Sequence, residues 1–241
     1  MVPDASYVES RPCVIMFHGF AGFTRMDDVA QALCCSGAVV IVSHHRGAWA
    51  SEGTYSFSHC IEDAVNLAEY VHSDEFCKEY NVDPNSIVLY GHSMGGNTAL
   101  NAATQLDYVA AVVLVAPCDI AHLYQTLSED ELEAFLTDNG FEVLVTDGME
   151  ALVADVAANN ESWLFSSAAE RIEGTAVFAA AGNLDTVCPA DQMVSPLMEK
   201  LEVQNSSALN QRIDYNTDHS FTSVRVQLTK DVCSFINEAC E

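Results

Sequence analysis

SIVLYGHSMGGNTAL, residues 86–100, carries three signals in a row. SIVLY is a short, continuous, β-branched apolar run of the kind a strand buried on both faces leaves. The stretch from Asn97 to Leu106 has helical character. Between them, Gly91-His92-Ser93-Met94-Gly95 fits the pattern G-x-S-x-G, in which a strand turns sharply into a helix. In such a turn the serine takes a strained backbone conformation, and a side chain at Gly91 or Gly95 would meet neighbouring backbone. The serine oxygen is pushed out of the strand's end beside a helix N-terminus, whose free N–H groups favour a developing anion. Ser93 is therefore the candidate nucleophile.

Outward from that stretch, apolar runs and helical segments alternate. CVIMF (13–17), AVVIVS (38–43), YVAAVVLVAP (108–117) and TAVFAAAG (175–182) read as further buried strands, and QRIDYN (211–216) as a more polar sixth. Helices are expected over 26–37, around 59–73, over 97–106 and from about Ser223 to Ala239. Strands of this kind separated by helices mean an α/β protein with a mostly parallel sheet. The 241 residues, 49% hydrophobic, suit a single domain. Residues 119–172 break the rhythm with several helices and no strand. From Asp119 to Glu170 they hold twelve acids and no Lys or Arg, and they follow the strand that ends near Pro117. A helical insertion at the carboxyl end of a sheet strand reads as a cap over the site.

A serine hydroxyl needs a base within hydrogen-bond reach. His219, in NTDHSF between the sixth strand and the last helix, is the candidate. Downstream of Ser93 the sole other histidine is His122, in the expected cap. The acid that orients the base should leave the end of the preceding strand, as Asp185 does in AAAGNLDTVCP. Asp119, directly after the fourth strand, is its rival, and Asp218 points elsewhere if its loop is extended. One oxyanion donor is the N–H of Met94, and a second should come from the loop after the first strand, where Phe20 N–H is the candidate. His18 is expected to brace that loop. Phe20 and Phe23 are candidate walls of a substrate pocket.

These motifs together resemble the α/β-hydrolase superfamily, above all small serine hydrolases of the prolyl-oligopeptidase, dienelactone-hydrolase and cinnamoyl-esterase branch. The matching stretches are MFHGFAG (16–22), VSHHRGAWASEG (42–53), VLYGHSMGGNTAL (88–100), GNLDTVCP (182–189) and DHSF (218–221). The resemblance implies the α/β-hydrolase fold with Ser93 as nucleophile, Asp185 as acid, His219 as base, and Phe20 and Met94 as oxyanion donors. Residues 119–172 look like the helical cap of this group. Two departures stand out. Only a dozen residues precede Cys13, so the antiparallel strand pair usual at the start is expected to be missing, which exposes a sheet edge. His44 and His45 stand where relatives often carry an acid and an aromatic, and packing near the site is their expected role.

Composition narrows the chemistry further. Net charge is −26, from 35 acids against nine Lys and Arg, which opposes binding to nucleic acid or an anionic membrane surface. No run of eighteen apolar residues appears, and the N-terminus lacks the pattern of a secretory signal. Nine cysteines with no Cys-x-x-Cys pair argue for a reducing cytoplasm over a disulfide framework. Neither a metal-ligand spacing nor a nucleotide-binding loop is present, so no cofactor and no metal are expected. The expected activity is hydrolysis of a small or medium acyl ester through an acyl-serine. An aminopeptidase or acyl-peptide hydrolase acting on a short peptide, and an inactive binding module on the same fold, are the alternatives. Acyl-chain preference and oligomeric state are not encoded legibly.

Overall fold

The computed structural model describes residues 1–4, 10–23 and 26–241. Six strands form one parallel sheet: β1 (Arg11–Phe17), β2 (Val39–Ser43), β3 (Val82–His92), β4 (Val109–Val115), β5 (Ala176–Gly182) and β6 (Asn210–Tyr215). Their spatial order is β2-β1-β3-β4-β5-β6. The chain starts at β1, steps outward to β2, then returns to the other side of β1 and runs on to β6. The carboxyl ends of β1 and β3 therefore flank the point where the winding reverses, the place at which open α/β sheets bind ligands. Ile15 sits beside Ile41 and Leu89, and Leu114 beside Gly91 and Ala179, so the register stacks apolar residues across the sheet.

Alternate residues of each strand feed two apolar layers, which is why nearly every strand residue is apolar. Ile15, Leu89, Leu114 and Val177 face one layer, covered by α2 (Phe57–His72), α4 (Met94–Ala103), α8 (Phe165–Ala169) and α10 (Ser195–Gln204). Val14, Val88, Val113 and Phe178 face the other, covered by α1 (Asp27–Cys35) and α11 (Arg225–Ala239). The expected fold class, an α/β-hydrolase sheet, is the one found. The first strand described is β1. At the free edge of β2 the main-chain nitrogen and oxygen of Met1 both pair with Val40, at 2.6 and 2.9 Å.

Two differences from the sequence reading concern helices. A further helix, α3 (Asp74–Tyr80), follows α2 directly, with Ser73 closing one helix and capping the next through a hydrogen bond from Phe76 N–H at 3.3 Å. After β5 come α9 (Ala190–Met193) and α10, which the sequence reading did not anticipate. Between β4 and β5 the chain forms α5 (Ile120–Thr126), α6 (Glu129–Asp138), α7 (Met149–Asn159) and α8. Ser128 and Glu131 make reciprocal capping hydrogen bonds at the start of α6. No described helix is long and apolar enough to cross a membrane, and no disulfide joins any of the nine cysteines.

The turn from β3 into α4 runs directly under the end of β1. A Cβ on Gly95 would lie 2.2 Å from the Phe17 carbonyl oxygen, a backbone atom that cannot swing away. Gly174, with φ +84 and nothing within 4 Å of an added Cβ, is a useful contrast because it is strained without being crowded. Gly95→Ala is expected to lower urea-unfolding stability by about 3 kcal/mol or more. Gly174→Ala should cost only the left-handed backbone penalty of about 1 kcal/mol. Equal costs at the two positions would show that crowding at Gly95 is relieved by movement of β1.

Candidate active site

Ser93 occupies the turn in a conformation rare for a side-chain-bearing residue, φ 56 and ψ −124. The main chain fixes it there. Its N–H donates to Val115 O (2.9 Å), and its carbonyl accepts from Gly96 N–H (2.8 Å) and Cys118 N–H (3.0 Å). Strain of this kind persists only where the surroundings over-determine it. It aims Oγ out of the sheet toward His219, which stands in the loop between β6 and α11.

The Ser93 hydroxyl lies 2.9 Å from His219 Nε2, and His219 Nδ1 lies 2.7 Å from Asp185 Oδ2. One tautomer satisfies both contacts, with Nδ1–H donating to the carboxylate and Nε2 accepting from the serine. The Asp185 carboxylate is wholly buried, and its other oxygen accepts N–H bonds from Val187 (2.8 Å) and Cys188 (2.9 Å). The carboxylate is thus held by its own loop before it meets the imidazole. The rival acids are occupied elsewhere. Asp119 caps α5 through His122 N–H (3.0 Å) and ties it to Phe165 N–H (2.8 Å). Asp218 accepts from Thr222 N–H at 3.2 Å.

Gly19, Phe20, Phe23, His92, Ser93, Met94 and His219 help line a cavity of about 270 Å³, and part of its wall is Phe135 and Asp138 of α6 with Asn139 just beyond it. The structure therefore brings Phe20, Phe23 and Met94 to the same space as Ser93. Phe23 is largely exposed, with its ring 6.0 Å from that of Trp49. Met94 is the first residue of α4, so its N–H has no partner within the helix. Gly19 is pressed against the serine, since a Cβ there would lie 2.9 Å from Ser93 Cβ. Asp138, exposed at the end of α6, adds a carboxylate to a lining that mixes aromatic and polar residues. Among the described residues no group of three or more His, Cys, Asp or Glu could hold a metal ion.

Histidines supply what the sequence reading missed. His92, immediately before the serine, is buried and donates from Nε2 to the main-chain oxygen of His219 at 2.9 Å. It is the residue through which the strand bearing Ser93 also holds the backbone of His219. Burial pushes its pKa down to about 3, with the nearby His219 acting in the same direction. The sole sequence signal for it was its place beside the serine at the strand's end. His45 is buried as well, with its ring 4.4 Å from that of His18, and its pKa is pushed down to about 3, first by burial and then by His18. His44 meets His18 edge-on at 5.9 Å. Both residues that depart from the family pattern thus pack beside the loop that carries Phe20.

The fold, with a serine at a strand-to-helix turn and a histidine before the last helix, is that of the α/β-hydrolases. The family model for serine aminopeptidase, S33, a hydrolase family, matches residues 8–138, more than half of the chain, and the protein belongs to that family. The matched region includes Phe20 and Ser93 and ends before Asp185 and His219, whose association with the serine rests on the geometry above. A monoacylglycerol lipase from Paleococcus ferrophilus is similar in structure, with 18% identity, a TM-score of 0.66, and coverage of 96% of this chain and 97% of that one. An esterase from Pyrococcus furiosus (17%, 0.69, 95% and 82%) and esterase 2 from Thermogutta terrifontis with butyrate bound (17%, 0.66, 99% and 87%) are similar as well. At such identities the likeness carries the fold.

The two buried histidines give the site a pH signature. Each is neutral when folded and free to take a proton near pH 6.5 when unfolded, so their contribution to stability is complete above that value and is lost as pH falls toward about 3. Between pH 6.5 and 5 the two together should remove about 3 kcal/mol of urea-unfolding free energy. His92→Gln, whatever its absolute stability, should show about half of the histidine-dependent slope. An unchanged slope in that variant would mean that His92 is protonated in the folded protein.

Proposed function

We propose that the protein is a serine esterase that cleaves carboxylic esters of small or medium acyl groups. The observation that carries this reading is the continuous Ser93–His219–Asp185 hydrogen-bond chain at a cavity walled in part by Phe20, Phe23 and Phe135. Ser93 Oγ attacks the ester carbonyl carbon as its proton passes to His219 Nε2. Asp185, acceptor of the Nδ1 proton, holds the tautomer and stabilises the imidazolium that forms. The carbonyl oxygen becomes an oxyanion that the N–H groups of Phe20 and Met94 stabilise as hydrogen-bond donors. Collapse expels the alcohol with the proton from Nε2 and leaves an acyl-serine. Water, deprotonated by His219, then attacks that ester, and the carboxylic acid departs as Ser93 regains its proton.

Phe20 and Phe23 receive the acyl chain, and the modest cavity volume limits its length. Residues 119–172 act as a cap within the single domain, since α6 supplies the wall facing the serine. An aminopeptidase is the second reading. It is supported by the family to which the chain belongs and by Asp138, whose carboxylate at the cavity could receive a substrate ammonium group.

Hydrolysis of nitrophenyl esters of graded chain length, set against aminoacyl nitroanilides, separates the two. Esters of short to medium acyl groups should turn over, Ser93→Ala should lower kcat by roughly 10⁴-fold or more, and Asp185→Asn by roughly 10³-fold to 10⁴-fold. Faster cleavage of the anilides would favour the peptidase. Equal rates for wild type and Ser93→Ala would overturn the serine mechanism.

A further inference from the structure

Two of the histidines left unused by that mechanism surround the loop that carries Phe20. His18 Nδ1 lies 2.7 Å from the carbonyl oxygen of Gly19, a contact that requires a proton on Nδ1. The N–H of His45 lies 3.3 Å from His18 Nε2, which requires a lone pair there. Both demands are met by a single species, neutral His18 protonated on Nδ1. His45 then places its own Nε2 3.2 Å from the main-chain oxygen of His18, and so donates from Nε2. His45 cannot readily change that role. It is buried between the rings of Phe17 and Tyr55, and burial keeps it neutral.

The carbonyl of Gly19 and the N–H of Phe20 belong to one peptide group. No cis peptide occurs among the described residues, and in a trans peptide these two bonds point in opposite directions. Holding the carbonyl therefore aims the N–H. On its other side the same loop is pressed against Ser93, because Gly19 leaves no room for a side chain there. Trp49 pins the next turn by donating from Nε1 to Ala21 O at 2.6 Å. We propose that His18, itself held by His45, is a positioning residue that fixes the plane of the Gly19–Phe20 peptide so that Phe20 N–H faces the oxyanion formed at Ser93. The proposal rests on the esterase reading and on Phe20 as a donor. A peptide free to rotate would present a carbonyl oxygen to the developing negative charge in place of a donor. The clamp thus acts on the transition state and leaves the ground-state complex largely unaffected.

Three variants separate this role from simple packing. His18→Leu removes the donor, His18→Asn keeps an amide donor near the position of Nδ1, and His45→Phe keeps a ring and the backbone N–H on His18 Nε2 while deleting the side-chain hydrogen bond to the His18 main-chain oxygen. With a nitrophenyl ester, His18→Leu should lower kcat about 100-fold with KM within about threefold, the scale of losing one oxyanion donor. His45→Phe should lower it about tenfold, and His18→Asn should recover at least tenfold of the His18→Leu loss. Affinity for a trifluoromethyl ketone, which forms a tetrahedral adduct on the serine, should fall in parallel with kcat. Affinity for the product acid and the midpoint of the kcat/KM pH profile should not move, because His219 and Asp185 are untouched. Equal weakening of the ketone and the product acid, or His18→Asn no better than His18→Leu at equal melting temperature, would overturn the clamp. If His18→Leu does not fold, the other two variants carry the same comparison. Wild-type rates in all three, with Ser93→Ala inactive, would sink the clamp alone. An active Ser93→Ala would remove the serine mechanism and the clamp with it.

Discussion

The whole arrangement depends on the close approach of backbone to backbone where β3 turns into α4. Gly91 and Gly95 let the turn pass beneath the carbonyl of Phe17, and that packing holds Ser93 in a left-handed conformation. Everything that gathers about the serine is referred to this point. The loop after β1 lies against its Cβ, the loop after β4 donates to its carbonyl through Cys118, and β4 itself receives its N–H at Val115. The reversal of strand order between β1 and β3 opens the space, and the elbow fills it with one oxygen atom.

Around that atom the protein spends few charged groups. Of 35 acids, Asp185 is the one seated on the base, and its carboxylate is buried and three times hydrogen-bonded. His92 and His45 are kept neutral by burial, so each is a fixed dipole with a known tautomer and not a rival base. The division of labour among histidines follows from exposure. The partly accessible His219 faces the cavity, whereas the other two are sealed from it or from solvent.

Much of this was legible in the sequence. Strands covered on both faces leave unbroken apolar runs, and five stood out for that reason, while the edge strand β6 was read as a more polar sixth. Ser93 was legible from the spacing of its glycines, and His219 and Asp185 from their places beyond strand ends, before the structure brought the three into one hydrogen-bonded chain. What escaped was short or relational. The helix α3 has seven residues, too few for a period to show, and α10 buries only Leu197, Met198 and Leu201. The contact of His18 with His45 joins the ends of two neighbouring strands, and that of His92 with His219 spans 127 residues, so neither leaves a local pattern.

The wide separation of the three residues along the chain has a consequence for biosynthesis. Ser93 is complete in the first half of the polypeptide, while His219 arrives only after β6, the outermost strand, has docked. A chain ending at β5 contains every residue that hydrogen-bonds the main chain of Ser93, yet lacks the histidine that its hydroxyl meets. Under the proposed esterase mechanism the last strand is therefore also the switch that arms the serine, and C-terminally clipped molecules keep the nucleophile while losing the group that activates it.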